Sequence, residues 1–137
     1  MTELTALQAA LAAEQATVYG YGVAGSILRG VDRDAAMVAL GAHMVVRDRL
    51  MDLITSAGAS PVAARPAYQL PFTVATAATA RELAAHLEQG CAGACWDLIA
   101  ASAPATPVRS LAIGWLGDSA VRTAHWGAQQ ALPGQPA

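Results

Sequence analysis

The sequence predicts an all-α fold, a four-helix bundle. Three observations carry that reading: four stretches with apolar residues at alternating three- and four-residue steps, helix-stop and helix-start residues between them, and no segment that reads as a strand. The first helix is expected over about residues 2–29, with the inward stripe Leu4, Leu7, Leu11, Glu14, Val18, Tyr21, Gly25 and Leu28, and Gly30 closing it. Asp32 is the expected cap of the second helix, which runs to Ala57 and stops at Gly58. Its stripe is Met37, Leu40, Met44, Arg47, Met51 and Ile54. Thr79-Ala80-Arg81-Glu82 fits a capping box and opens the third helix, which continues to about Ala101. Thr106 and Pro107 form an N-cap and first-turn pair for the fourth, ending near Gly127, with Val108, Leu111, Trp115, Asp118, Arg122 and His125 on one stripe.

The lengths of the connections set the expected topology. Short turns join the first helix to the second and the third to the fourth, so each pair is expected to be an antiparallel hairpin. With the first reversal at Arg29–Asp32, Leu7 is expected opposite Ile54, Tyr21 opposite Leu40, and Glu14 opposite Arg47. Between the hairpins, residues 58–78 carry Pro61, Pro66 and Pro71 and no helical period. Such a segment spans a bundle of about 38 Å easily when extended. It therefore reads as a long crossover, the ferritin-like arrangement, with Tyr68, Leu70 and Phe72 pinning it to the surface. One domain is expected over residues 1–129, followed by a frayed tail at 130–137.

Composition narrows the function. The chain of 137 residues is 55% hydrophobic and only 13% charged, with a net charge of −2, which argues against a nucleic-acid binder. Ala supplies 34 residues, and Lys and Asn are missing altogether, so every fixed positive charge is Arg. No long apolar stretch is free of charges or helix breakers, so no membrane span is expected, and Met1-Thr2-Glu3 lacks a basic leader. These features read as cytoplasmic. Cys91 and Cys95, four apart on one helix, are unsuited to a mutual disulfide and read as small core fillers. Gly20-Tyr21-Gly22-Val23-Ala24-Gly25 matches a dinucleotide fingerprint in letters only. It lies inside a helix with no preceding strand, so its glycines are read as points of close helix approach.

The charged residues in the stripes are the candidates for function. The two hairpins look like copies: Glu14-Gln15 matches Glu88-Gln89, and the Leu40–Arg47 segment matches Leu116–Arg122, one residue shorter. Aligned on the arginines, His43 corresponds to Asp118. A di-metal carboxylate site needs two Glu plus two Glu-x-x-His pairs. Leu40 precedes His43 by three residues and Arg122 precedes His125 by three, so the second requirement fails. The preferred reading is a buried polar network of Glu14, Arg47, Glu88, Arg122, His43 and Asp118, with two Glu–Arg pairs in place of metal and no cofactor. The alternative is a di-iron or di-manganese oxidoreductase or storage protein, with Glu14, Glu88, Asp118 and His43 as ligands.

Tyr19, Tyr21, Trp96, Trp115 and Trp126 read as core or interface rather than a ligand box, and His86 as a half-exposed helix residue. No nucleophile–base pair is evident, so hydrolase chemistry has no support and the reading leans away from an enzyme. High apolar content with few charges points to a homodimer, or to a module that binds another protein.

Three segments carry a family likeness: Leu11 to Gly22, His43 to Asp48, and Pro66-Ala67-Tyr68-Gln69-Leu70-Pro71-Phe72. Together they resemble a ferritin-like domain family of unknown function from high-GC Gram-positive bacteria, over nearly the whole chain. The resemblance implies a ferritin-like bundle and no assigned activity.

Overall fold

The computed structural model describes residues 1–127 and holds four helices: α1 (Glu3–Ile27), α2 (Gly30–Ser56), α3 (Ala77–Ala101) and α4 (Pro107–His125). No strand occurs among the described residues. The expected tail at 130–137, and the last two residues of the expected domain, lie outside them.

Local chemistry sets the helix ends. The Thr2 hydroxyl accepts the Thr5 N–H and starts α1. The chain breaks at Leu28 and Arg29, both extended, and Gly30 takes a φ of +58°, a conformation glycine adopts without a Cβ penalty. Gly30 thus opens α2 instead of closing α1. Asp32 is not the cap. It sits in the first turn of α2, where the helix dipole favours an anion.

The α3 start also differs from expectation by one turn. Thr76 is the N-cap, and its hydroxyl accepts the Thr79 N–H at 3.1 Å while the Thr79 hydroxyl accepts the Thr76 N–H at 2.9 Å. Threonine here does what Glu usually does in a capping box. Thr106 and Pro107 start α4 as expected, and Gly58, at a φ of +83°, follows α2.

α1 packs against α2 and α3, and α3 against α4; α2 and α4 make no comparably close contact among the described residues. Two apolar clusters hold the bundle. One gathers Tyr21, Ala24 and Leu28 with Ala36, Ala39, Ala80, Leu83, Ala84 and Trp126. The other gathers Leu7, Ala10 and Leu11 with Leu50, Ile54, Leu98 and Ala112. Nearly half of these inward residues are Ala, so the helices approach closely over small side chains. Gly20 fits the same pattern: an added Cβ would lie 2.6 Å from Leu87 Cδ1. At Gly25 it would run into the end of Met37, whereas Gly22 faces open space.

This small-residue interior rotates α2 and α4 relative to the expected stripes. The buried face of α2 is Ala36, Ala39, His43, Leu50 and Ile54, while Met37, Met44 and Met51 are each 39% exposed. On α4 the buried residues are Ala112, Ser119 and Thr123; Trp115 is half-buried and Asp118 exposed.

The connection between Ser56 and Ala77 is irregular and tied along α1. Gln8 bonds Ser60 O and the Val62 N–H, and Gln15 bonds Val62 O. Further along, Tyr68 lies against Tyr19, Leu70 and Val74 join the cluster around Tyr21, and Phe72 meets His86 edge-on. No helix among the described residues is long and apolar enough to cross a membrane.

Candidate functional site: a buried histidine between two carboxylates

Between the two apolar clusters lies a polar layer that every helix supplies. α1 contributes Glu14, Thr17 and Tyr21; α2 contributes His43; α3 contributes Glu88 and Cys91; α4 contributes Arg122, with Trp126 just beyond its end. Glu14, His43 and Glu88 are 4%, 1% and 0% exposed, so nearly all their charge must be balanced by protein.

His43 is the hinge of the layer. Its Nδ1 lies 2.6 Å from Glu14 Oε2 and its Nε2 lies 2.7 Å from Glu88 Oε1. Ionised carboxylates only accept, so a histidine held by one at each nitrogen donates from both and is an imidazolium. The short distances are those of charge-assisted bonds. Burial alone would push the His43 pKa down. The hydrogen bonds to Cys91, Glu14 and Glu88, with the Glu14 charge, outweigh it and raise the pKa to about 12.

Glu88 collects three donors on one oxygen. Oε1 accepts from His43, from the Tyr21 hydroxyl at 2.7 Å and from Arg122 Nε at 2.8 Å. Burial favours its neutral form, yet His43 and Arg122 together hold its pKa below the ordinary value. Its other oxygen, Oε2, is buried without a hydrogen-bond partner among the described residues. Two carboxylates and two cations, His43 and Arg122, make the layer electrically neutral.

Aromatic and thiol groups enclose it. The Tyr21 ring stacks on the His43 ring with centroids 5.6 Å apart, and its hydroxyl accepts Trp126 Nε1–H at 2.9 Å. Burial and the Glu88 charge raise the Tyr21 pKa, so the phenol stays protonated. Arg81 lies over the Trp126 ring, pairs with Asp32 at 2.7 Å and donates to His125 O, joining α2, α3 and α4 at that end. Cys91 Sγ lies 3.1 Å from Thr17 Oγ1, and burial pushes the Cys91 and Cys95 thiols up to about 12. Both cysteines are free. One donor atom each from Glu14, His43 and Cys91 lies within 4.8 Å of the others, a grouping a metal ion could use.

Residues 6–137 match the model of a family described as a domain of unknown function, DUF4439. The chain belongs to that family. It is also similar to a solved structure, the crystal structure of a conserved hypothetical protein, rv2844, from Mycobacterium tuberculosis. The two share 32% sequence identity and a TM-score of 0.86, over 90% of this chain and 93% of the other. Among curated proteins none matches. A four-helix architecture and a role not yet assigned are what these likenesses carry.

Of the six residues expected in one buried network, the structure brings Glu14, His43, Glu88 and Arg122 together and leaves out two. Arg47 does not reach Glu14. Its Nε and Nη2 both bind the neighbouring Asp48 Oδ1 at 2.9 Å. The break between α1 and α2 falls at Leu28–Arg29, earlier than Arg29–Asp32, so the residue facing Glu14 moves back by one turn, from Arg47 to His43.

Asp118 is exposed on the outer side of α4, beside a surface groove. Counted from the shared Leu-Gly pair instead of from the arginines, the counterpart of His43 is Ser119, and Ser119 is buried. Tyr21 and Cys91 were read as core. Their membership was visible in spacing: Tyr21 lies two turns beyond Glu14 on the same face, and Cys91 one turn beyond Glu88.

Proposed function

We propose that this protein is a ferritin-like bundle, two antiparallel helical hairpins joined by the 57–76 crossover, that works without metal as a self-associating structural module. The observation that carries the reading is His43, engaged at both nitrogens by carboxylates, with Arg122 on the second of them. The hairpin arrangement is supported by the clusters, which group the end of α1 with the starts of α2 and α3, and the start of α1 with the end of α2. Two buried free thiols suit a reducing compartment, which favours the cytoplasm.

The donor set does not fit a di-metal centre. Asp118 lies outside the layer, neither histidine nitrogen offers a lone pair, and a fixed cation sits on Glu88. A single ion on Glu14, His43 and Cys91 would have to displace protons from two groups whose pKa values are each raised to about 12. That proton competition at neutral pH disfavours the ion. Protein purified without chelators from cells fed iron and manganese is therefore expected to hold far less than one metal ion per chain by elemental analysis. Near-stoichiometric iron or manganese would overturn the metal-free reading.

A further inference from the structure

We propose that the open side between α2 and α4 is a homodimer interface in which Arg49 of one copy pairs with Asp118 of the other. This deepens the self-association reading above and rests on it. α2 and α4 are the two neighbouring helices that do not close on each other, and a groove of about 450 Å³ lies on that side. Leu111, Gly114 and Trp115 form much of its α4 wall.

The rims continue its apolar character. Val38, Ala42, Val45 and Arg49 follow one another at four-, three- and four-residue steps on α2, as do Leu111, Gly114, Asp118 and Val121 at three-, four- and three-residue steps on α4. Val38, Val45 and Val121 are 75%, 69% and 72% exposed, among the most exposed large apolar residues of the chain. Gly114 has open space where a Cβ would be, and Ala42 on the facing helix carries only a methyl, which leaves room for another helix to approach closely.

Charge complementarity selects the occupant. Arg49 and Asp118 are the two charged residues lining the groove, and neither has an ion-pair partner among the described residues. One cation and one anion on a single otherwise apolar face are self-complementary. A two-fold axis midway between them makes both intermolecular pairs at once, as an isologous interface requires. A partner of one sign would leave one of the two charges opposed to like charge or desolvated.

The test is the oligomeric state of the full chain by sedimentation velocity, for wild type, Asp118→Arg, Arg49→Asp and the double reversal. Both residues are exposed, and far-UV circular dichroism checks that each variant is folded. Wild type is expected to be a dimer at micromolar concentration, each single reversal to weaken dimerisation at least about tenfold, and the double reversal to restore it. A wild-type monomer would overturn self-association itself. A wild-type dimer indifferent to the single reversals, or not restored by the double one, would overturn this interface while leaving self-association standing.

Discussion

Glu88→Ala is expected to be the most damaging single substitution in the chain, lowering stability by about 3–5 kcal/mol. Glu88 is fully buried and its Oε1 is the common acceptor for His43, Tyr21 and Arg122. Truncation leaves a buried imidazolium with one carboxylate instead of two and a phenol without its acceptor. It also opens a cavity between α1 and α3. Against a typical total of about 5–15 kcal/mol, that loss lowers the melting temperature by about 10–20 °C or prevents folding at 37 °C. Arg47→Met supplies the contrast. Among the described residues Arg47 has an ion pair with the exposed Asp48 alone, and methionine keeps the apolar part of its packing, so the exchange is expected to move stability by less than about 1 kcal/mol. Thermal melts of the two variants check both. A neutral Glu88→Ala, or an Arg47→Met as damaging as it, would refute the placement of the network.

Alkali is expected to destabilise the fold, beginning unusually early. Folding raises the His43 pKa from its ordinary 6.5 to about 12. Below pH 6.5 the folded and unfolded chains both hold this proton, and the stabilisation is complete. From there to about pH 12 the folded chain alone keeps it, so each pH unit removes up to ~1.4 kcal/mol. Past pH 9 the Cys91 and Cys95 thiols add losses of the same sign, because they stay protonated in the fold up to about 12 while the unfolded chain ionises. Tyr21 joins above pH 10. Glu88 acts oppositely: its lowered pKa contributes stability above the ordinary carboxylate value, and that is lost in acid. Denaturant titrations across pH should therefore show stability falling between pH 6.5 and 9, and a Cys91→Ala/Cys95→Ala double variant should keep that fall. Constant stability over this range would contradict the raised His43 pKa.

Much of the fold was legible because helix ends carry chemical signs. Thr106-Pro107, Gly58 and the prolines between α2 and α3 mark where four helices begin and stop, and the structure puts them there. The α3 start was misplaced because Thr79, not a Glu, completes its capping box. Glu14 stood out as the one charge on the α1 stripe, and Glu88 as its match in the Glu-Gln pair repeated on α3.

The partners of those carboxylates were harder to read, and side-chain size explains why. Hydrophobic periodicity gives most weight to large residues, so Met37, Met44 and Met51 on α2, and Leu111 and Trp115 on α4, drew the expected seam toward themselves. In an Ala-rich bundle the inward positions go to the smallest residues that let helices approach, here Ala36, Ala39, Ala112 and Ser119. The shift of one residue on each outer helix is a rotation of about 100°. It exchanges Met44 for His43 and Asp118 for Ser119 and turns Arg47 outward, so the expected Glu14–Arg47 bridge gives way to one histidine shared by two carboxylates while the Glu88–Arg122 bridge stays.

The protonation state of His43 tests that arrangement most directly. Nitrogen-15 NMR of the imidazole, recorded at pH 9 on the full-length protein, reports whether each ring nitrogen carries a proton. The Glu14–His43–Glu88 geometry requires protons on both, well above the pH at which an ordinary histidine is neutral. A neutral His43 ring at that pH, or a ring nitrogen bound to metal, would contradict it.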